Sequence, residues 1–328
     1  MTWSVLVSCS GPDRSVFSDE LGRFQGVVYR EESAVMKQDL FVNAGRPLVS
    51  RVAYSGNLKE SIERSISIIG GIDKLVEKGD TILLKPNYNS ADSYPGSSDP
   101  ALIKALIEML YEAGAGKVIL GERTAFLHNR KVMEQAGIIE VAERAGAEVR
   151  VFGRDGWHLI IDRKGWRRIK VPEGKYLHKV SLAEEALEIE KIVYVPLIKT
   201  HHAADFTGSI KLAMGFVNPL FDQITFHLRH LREKLAELCL VVKPDLIVMD
   251  ARKVFIRGGP TKGELREPNL VLASGNQVAV DIEGVRVLQS YPGNSLEGKN
   301  PWDLAQIKHA VELGLGPHRE EEYDVVTD

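Results

Sequence analysis

Short apolar runs of four or five residues alternate along this chain with longer stretches whose apolar residues recur at helical spacing. Residues 81–84, 117–120 and 192–196 are such runs, and they are typical of parallel strands that are covered on both faces. Between the first two, Asp99 suits a helix N-cap and Pro100 suits the first helical position. The alternation predicts an α/β fold with a mostly parallel sheet and helices on both faces.

The remaining elements are assigned by the same patterns. The weakly patterned residues 1–49 predict an N-terminal extension or a peripheral hairpin, and residues 50–328 predict the main domain, built as one unit or as two α/β lobes around a cleft. The further predicted elements are a short strand at 52–54, helices at 58–69, 131–144, 222–240, 277–289 and 301–313, a hairpin within 156–180 that includes Trp157, and strands at 148–152, 245–249 and 270–273.

Composition excludes several classes of function. The formal net charge of -3 gives no reason to expect a nucleic-acid partner, which would favour a strongly basic surface, although a near-neutral total can contain a basic cleft. The two cysteines, Cys9 and Cys239, cannot hold a four-cysteine iron–sulfur cluster. No apolar run approaches the roughly 18 residues of a membrane-spanning helix, and the first residues lack the basic region of a signal peptide. We therefore predict a cytoplasmic protein without nucleic-acid or membrane partners, and a homodimer stays open.

Polar residues directly follow the apolar runs. Lys85 and Asn87 follow the first run, Arg123 follows the second, and Lys199 and Thr200 follow the third. Ligands of open α/β sheets bind outside the carboxyl ends of the strands, and cations that converge there repel each other unless an anion lies among them. We predict a site for a small carboxylate or phosphate metabolite, in which Lys85 is catalytic and the other four residues bind substrate. The alternative is that each cation is solvated in its loop or is the ion-pair partner of Glu122 or Asp250.

The segment 207–215 adds a second group of candidates. Thr207, Gly208 and Ser209 precede Lys211, and small residues before a helix can leave backbone N–H groups facing an anion. The segment lacks the Walker pattern, and the chain has no glycine-rich dinucleotide fingerprint, so neither a P-loop ATPase nor an ordinary NAD dehydrogenase is indicated. We predict that the three small residues bind substrate and that Lys211 is catalytic.

Two histidines and two aspartates complete the candidate site. His201 is predicted to move a proton, because an unperturbed imidazole titrates near neutral pH. His202 is adjacent, and adjacent side chains diverge, so one of the two faces the site. The cofactor is unknown, but His201, His202, Asp250 and Asp281 are candidate ligands for a divalent metal. Asp250 is equally a candidate base or ion-pair partner.

Several of these motifs occur in a fixed order along the chain: Lys85-Pro86-Asn87, Gly121-Glu122-Arg123, Pro196-Leu-Ile-Lys199-Thr-His201, Thr207-Gly208-Ser-Ile-Lys211, Gly258-Gly259-Pro260 and Ala279-Val280-Asp281. As a set they resemble domain-of-unknown-function family 362 of bacteria and archaea, from about residue 50 to the end. Most members lack an established activity, and some carry iron–sulfur modules, which implies redox work. Here a redox role would need a separate partner. The family usually has Asn where this chain has Leu212.

A second similarity, at the level of the fold, is to the nickel-pincer lactate racemase group. There too a histidine-bearing segment precedes a small-residue loop that ends in lysine, as His201 precedes Gly208 and Lys211. The similarity implies a cleft between two lobes and a small hydroxy acid or similar anion, without implying nickel. We predict an enzyme, racemase-like, isomerase-like or redox-linked, acting on a small anionic metabolite. A non-catalytic anion carrier and an assembly factor that docks a partner protein are the alternatives.

Overall fold

The computed structural model describes four stretches of the chain, residues 37–124, 129–153, 165–219 and 222–328. Most of the predicted extension, including Cys9, lies outside the described residues, as does Trp157 of the predicted hairpin. The predicted boundary at residue 49 and the alternative of two lobes stay predictions.

The described residues form fifteen strands and ten α-helices. The strands are β1 (Val42–Asn43), β2 (Arg46–Ala53), β3 (Thr81–Lys85), β4 (Lys117–Glu122), β5 (Glu148–Val151), β6 (Trp166–Lys170), β7 (Lys179–Ala183), β8 (Lys191–Tyr194), β9 (Lys199–His201), β10 (Asp205–Thr207), β11 (Leu246–Ala251), β12 (Val254–Arg257), β13 (Glu264–Arg266), β14 (Leu270–Ser274) and β15 (Asp324–Thr327). The helices are α1 (Leu58–Ser67), α2 (Pro100–Glu112), α3 (Asn129–Gln135), α4 (Ile138–Arg144), α5 (Glu185–Glu188), α6 (Ser209–Leu212), α7 (Asp222–Leu228), α8 (Leu231–Leu238), α9 (Gln277–Gln289) and α10 (Ala305–Glu312).

A nine-stranded sheet lies at the centre of the described fold. Its order is β1-β2-β14-β11-β8-β3-β4-β5, and β15 pairs with β2. The five strands from β11 to β5 are parallel to one another, whereas β14 is antiparallel to both of its neighbours. The predicted α/β fold with a mostly parallel sheet is therefore confirmed.

Both faces of the sheet are covered, as successive residues of β3 illustrate. Ile82 and Leu84 are fully buried in the apolar cluster that contains α1 and α2. Leu83, between them, is buried in the opposite cluster, with Tyr194 and Phe216. Neighbouring side chains of a strand point to opposite faces, so a strand covered on both sides is apolar at every position. This explains the continuous apolar runs of the sequence.

The chain reverses its course across the sheet at β3. From β3 it continues to β4 and β5, and it then returns through the β6–β7 hairpin to β8 on the other side of β3. The carboxyl ends of β3 and β8 therefore flank a topological switch point, where open α/β sheets bind their ligands. Lys85 is the last residue of β3.

Two predicted helices are each divided in two. The prediction of one helix at 131–144 was wrong, because Gly137 has a φ of +71° and separates α3 from α4. The prediction of one helix at 222–240 was also wrong, because His230 has a φ of +55° and separates α7 from α8. A residue in the left-handed region cannot continue a right-handed helix. Strand β2 is longer than predicted and begins at Arg46.

Within the ranges that the structure describes, no helix has both the length and the apolar character that crossing a membrane requires.

Candidate functional site

A cavity of about 820 Å³ lies at the carboxyl ends of β3 and β4, next to the switch point. Sites for small molecules usually measure about 300 to 1,000 Å³, so the volume fits a metabolite. Side chains from β3, β4, β9, α6 and α7 and from the loop after β3 line it. The strongly charged groups among them are three cations and two carboxylates, namely Lys85, Arg123, Lys211, Asp92 and Glu122.

Lys85 and Glu122 form a buried ion pair at the base of the cavity. The two side chains are 1% and 2% exposed, and Lys85 Nζ lies 2.5 Å from Glu122 Oε1. Nζ also donates to the carbonyl of Pro86 at 2.8 Å. Glu122 in turn accepts the backbone N–H groups of Tyr88 and Arg123, at 3.0 and 2.8 Å. Burial lowers the pKa of Lys85 and raises the pKa of Glu122, and each group opposes the shift of the other.

Arg123 is held against the backbone beside this pair. Its Nη1 donates to the carbonyl of Val217 at 3.0 Å, and its Nη2 donates to the carbonyl of Thr124 at 2.8 Å. Burial lowers the pKa of Arg123 to about 10, and the charge of Glu122 opposes this shift. The guanidinium is still protonated at neutral pH, so it adds a fixed positive charge to the cavity wall.

Lys211 differs from the other cations of the cavity. Its side chain is buried, yet the described residues offer its ammonium no hydrogen-bond or ion-pair partner. Burial, followed by the positive charge of Lys85, lowers the pKa of Lys211 to about 8. Asn87 is similar, because its side chain is 6% exposed and its Oδ1 has no hydrogen-bond partner among the described residues. Both residues line the cavity.

Lys199 lies close to these groups but is not part of the cavity lining. Its Nζ donates to the carbonyls of Pro95 and Gly96, at 3.1 and 2.5 Å. Burial, followed by the charge of Lys211, lowers the pKa of Lys199 to about 7. Thr200 is turned away, and its hydroxyl donates to the carbonyl of Phe255 at 3.0 Å. The direct substrate contacts predicted for Lys199 and Thr200 therefore stay predictions.

His201 lines the cavity, whereas the exposed His202 does not. Nδ1 of His201 accepts the backbone N–H groups of Ala203 and Ala204, at 3.1 and 3.3 Å. Burial, followed by the charge of Lys211, lowers the pKa of His201 to about 2. His201 is therefore a neutral imidazole with its proton on Nε2. Such a ring donates a hydrogen bond, so a proton transfer by His201 would start with donation from Nε2.

The small residues before Lys211 lead into α6 but do not line the cavity. The backbone N–H groups of Ser209 and Ile210 donate to the carboxylate of Asp281, at 2.6 and 2.9 Å. A Cβ on Gly208 would lie 2.5 Å from the same carboxylate, so glycine is required there. The idea that these N–H groups face an anionic substrate was wrong, because a carboxylate of the protein already occupies them. The substrate contacts predicted for Thr207, Gly208 and Ser209 have no geometric support.

Replacing Asp281 with alanine is expected to destabilise the protein by about 2 kcal/mol, because two buried N–H groups lose their acceptor. Urea denaturation monitored by circular dichroism measures this loss. The exposed Asp73 supplies the control, and Asp73→Ala should stay within about 0.5 kcal/mol of wild type. Equal losses in the two variants would contradict the capping role of Asp281.

Asp250 lies inside β11 rather than after it. Its carboxylate accepts from the guanidinium of Arg252, at 2.7 and 3.0 Å, and from the hydroxyl of Tyr94 at 2.9 Å. Arg252 also donates to Asp99 at 2.8 Å. Of the three roles left open by the sequence, the ion-pair partner is the one that this geometry supports.

The candidate metal ligands are not brought together. Asp250 and Asp281 are each bound by donors of the protein, and neither lines the cavity. The rings of His201 and His202 stack, with centroids 4.9 Å apart. Over the four described stretches, no group of three or more His, Cys, Asp or Glu side chains is arranged to hold a metal ion.

Sequence reasoning missed several residues of the cavity. Glu122, which the sequence offered only as one of two possible partners of the cations at the strand ends, is the buried partner of Lys85. Gly215 lies directly against this pair, because a Cβ there would lie 2.5 Å from Lys85 Nζ and would force it to shift. Other missed lining residues are Tyr88, Asp92, Thr124, His227 and Thr261.

Comparisons with known proteins give a family and a distant relative. The model of the family described as "Domain of unknown function (DUF362)" matches residues 82–286. A thylakoid-associated protein of Synechocystis sp. is 26% identical over 279 residues, which make up 82% of this chain and 79% of that protein. The location that this name gives belongs to the relative, and the cytoplasmic location of this chain stays a prediction.

Two solved structures share the general fold at 10% identity and a TM-score of 0.43. One is a protein from Thermotoga maritima, aligned over 77% of this chain and 59% of that chain. The other is the lactate racemase apoprotein from Thermoanaerobacterium thermosaccharolyticum, aligned over 80% of this chain and 61% of that chain. This chain thus spans less than two thirds of the length of either structure. The resemblance to domain-of-unknown-function family 362 that was noted in the sequence is confirmed by the family match.

Proposed function

The chain belongs to the DUF362 family, and we propose that it is an enzyme acting on a small anionic metabolite, a carboxylate or a phosphate, in the cavity at the ends of β3 and β4. The observation that carries this proposal is Lys211, a buried ammonium on the cavity wall for which the described residues provide no partner. A buried cation loses its hydration, and a counter-charge normally offsets that loss. An anionic ligand would supply the counter-charge.

The neighbours of Lys211 favour the same kind of ligand. Arg123 adds a fixed cation, and Lys85 adds a further ammonium, which is paired with Glu122. Asn87 lines the same cavity, and its Oδ1 is buried without a partner in the described part of the chain, so a hydroxyl or amino group of a ligand reaches it only if the amide turns toward the cavity. The ligand is thus an anion, and a hydrogen-bond donor on it would suit Asn87.

Displaced pKa values favour catalysis over simple binding. Several groups at or beside the cavity have strongly shifted pKa values, among them Lys211 at about 8, Lys199 at about 7, His201 at about 2 and Arg123 at about 10. Active sites are where burial and like charges shift pKa values in this way. Lys211 changes protonation near neutral pH, whereas His201 stays neutral and donates from Nε2. Lys85, which Glu122 holds in place, contributes charge.

A thermal-shift experiment tests the anion site. Inorganic phosphate, pyruvate, lactate and malonate are the probes, and at a hundredfold excess over Kd a binding anion stabilises by about 2.7 kcal/mol. Lys211→Met removes the charge at similar length and is expected to weaken binding about tenfold or more, equivalent to about 1.4 kcal/mol. The matched control is Lys104→Met, which removes an exposed lysine of α2.

Two results would contradict the proposal. In the first, no probe stabilises the wild-type protein. In the second, Lys211→Met responds to the probes as strongly as Lys104→Met does. A carrier would bind the same anion but return it unchanged, so NMR spectra of the recovered anion after prolonged incubation separate the carrier from the enzyme.

A further inference from the structure

Three buried lysines lie in or beside the cavity, and they differ in whether their ammonium groups have hydrogen-bond partners. Lys85 Nζ is engaged by Glu122 and by a backbone carbonyl, and Lys199 Nζ is engaged by two backbone carbonyls. Lys211 Nζ has no such partner among the described residues, and its side chain lines the cavity. Its nitrogen lone pair is therefore open to a ligand whenever the group is neutral.

The backbone that carries Lys211 is held firmly. Asp281 binds the two N–H groups at the start of α6, and the flanking Ile210 and Leu212 are buried at 0% and 3% exposure. The amine is thus presented to the cavity from a fixed support, and holding a nucleophile in one place removes part of the entropic barrier to reaction.

The same surroundings produce the neutral amine. Burial and the adjacent charge of Lys85 bring the pKa of Lys211 to about 8. At pH 7.5 the neutral fraction is then on the order of a hundred times that of a lysine with an ordinary pKa. A lysine that is desolvated and lies next to a second cation is a recognised form of activated nucleophile.

We propose that Lys211 forms an imine with the carbonyl carbon of a carboxylate-bearing aldehyde or ketone, an oxo acid, and this step rests on the proposed function of the cavity. The neutral amine attacks the carbonyl carbon, a C–N bond forms, and the carbonyl electron pair moves to oxygen, which takes up the proton that nitrogen loses. The C–O bond of the carbinolamine then breaks, the second proton of the nitrogen goes to the departing oxygen, and water leaves. One amine and one carbonyl compound give one imine and one water, and a proton from solvent converts the imine to the iminium.

The cavity suits such a substrate at both ends. The carboxylate of the oxo acid meets the positive charge of Lys85 and Arg123, while the carbonyl carbon lies against Lys211. Leu212 and Met214 add apolar wall for the carbon chain. An iminium next to a carboxylate withdraws electrons from its neighbouring carbons, so the reactions opened by this step are proton abstraction, carbon–carbon bond cleavage and decarboxylation.

Reductive trapping of the full-length chain tests the imine. Pyruvate is the probe, cyanoborohydride reduces any imine to a stable amine, and mass spectrometry of proteolytic peptides locates the adduct. We expect the adduct on Lys211, formed on the order of a hundred times faster than on the exposed Lys104 at pH 7.5. The trapping rate should rise with pH up to about 8 and then level off. Lactate, which lacks the carbonyl, should give no adduct.

Lys211→Arg separates this inference from the proposed function, because arginine keeps the positive charge but forms no imine under these conditions. The variant should lose the adduct at position 211 and keep its stabilisation by inorganic phosphate. Labelling that is spread over exposed lysines and spares Lys211, in a protein that phosphate or malonate still stabilises, would overturn the imine and leave the anion site intact. Labelling of Lys211 without stabilisation by any anion would instead overturn the proposed function.

Discussion

Replacing Glu122 with alanine is expected to destabilise the protein by about 3 to 5 kcal/mol, because the ammonium of Lys85 is left buried without its carboxylate. The loss includes more than the ion pair. Glu122 also accepts the backbone N–H groups of Tyr88 and Arg123, and these donors lose their acceptor in the variant. Denaturation in urea at neutral pH, followed by circular dichroism, gives the free energy of unfolding.

A double variant distinguishes the ion pair from simple loss of packing. Lys85→Met combined with Glu122→Leu replaces both charges with apolar groups of similar volume and should recover at least about half of the loss. Glu134→Ala, at an exposed position of α3, is the control and should cost no more than about 0.5 kcal/mol. If Glu122→Ala lowered the free energy of unfolding as little as this control does, the ion pair with Lys85 would not contribute to stability.

The place of the site was predictable because strand ends are visible in the sequence. Strands β3, β4 and β8 end close to the ends of the apolar runs from which they were predicted. Parallel strands bring their carboxyl ends to one edge, so residues that are far apart in sequence meet there. Five of the predicted site residues line one cavity: Lys85, Asn87, Arg123, His201 and Lys211.

Which partner each of these residues takes was not predictable, because contacts at long sequence separation decide it. Lys85 and Glu122 are 37 positions apart, and Asp281 reaches Ser209 across 72 positions. The patterns in a single sequence indicate the spacing of apolar residues and the positions of helix caps. Neither shows which side chain will contact which partner in the folded protein. The segment before Lys211 therefore suggested N–H groups available to an anion, whereas the fold had already supplied a carboxylate.

The two helix breaks also show what the sequence patterns reveal and what they do not, here for local backbone structure. Gly137 interrupts an otherwise helical pattern, and an isolated glycine there is a usable signal of a helix boundary. His230 carries no such signal, because a histidine in the left-handed region is held there by its surroundings. The break matters for the site, because it ends α7 near His227, which lines the cavity.

The affinity for a non-reacting anion such as phosphate or malonate is expected to fall by up to about tenfold per pH unit above pH 8. Lys211 has a pKa of about 8 in the free protein, and a bound anion raises it, so binding takes up a proton near and above this pH. The affinity is therefore full below the free pKa and is lost as the pH rises through it. The charged or titratable groups around Lys211 are Lys85, Tyr88, Asp92, Glu122, Arg123, Lys199, His201, His227 and Asp281.

Lys211→Arg isolates the contribution of Lys211 from that of its neighbours, because guanidinium stays protonated throughout this range. Isothermal titration calorimetry from pH 6.5 to 9.5 should give a steep fall in the wild-type protein and a much flatter profile in the variant. Any decrease in affinity that remains in the variant near pH 7 is attributed to the deprotonation of Lys199. Trapping of pyruvate needs the neutral amine and therefore changes with pH in the opposite direction. Parallel profiles for binding and trapping, or equal slopes in the two proteins, would show that Lys211 does not control the cavity.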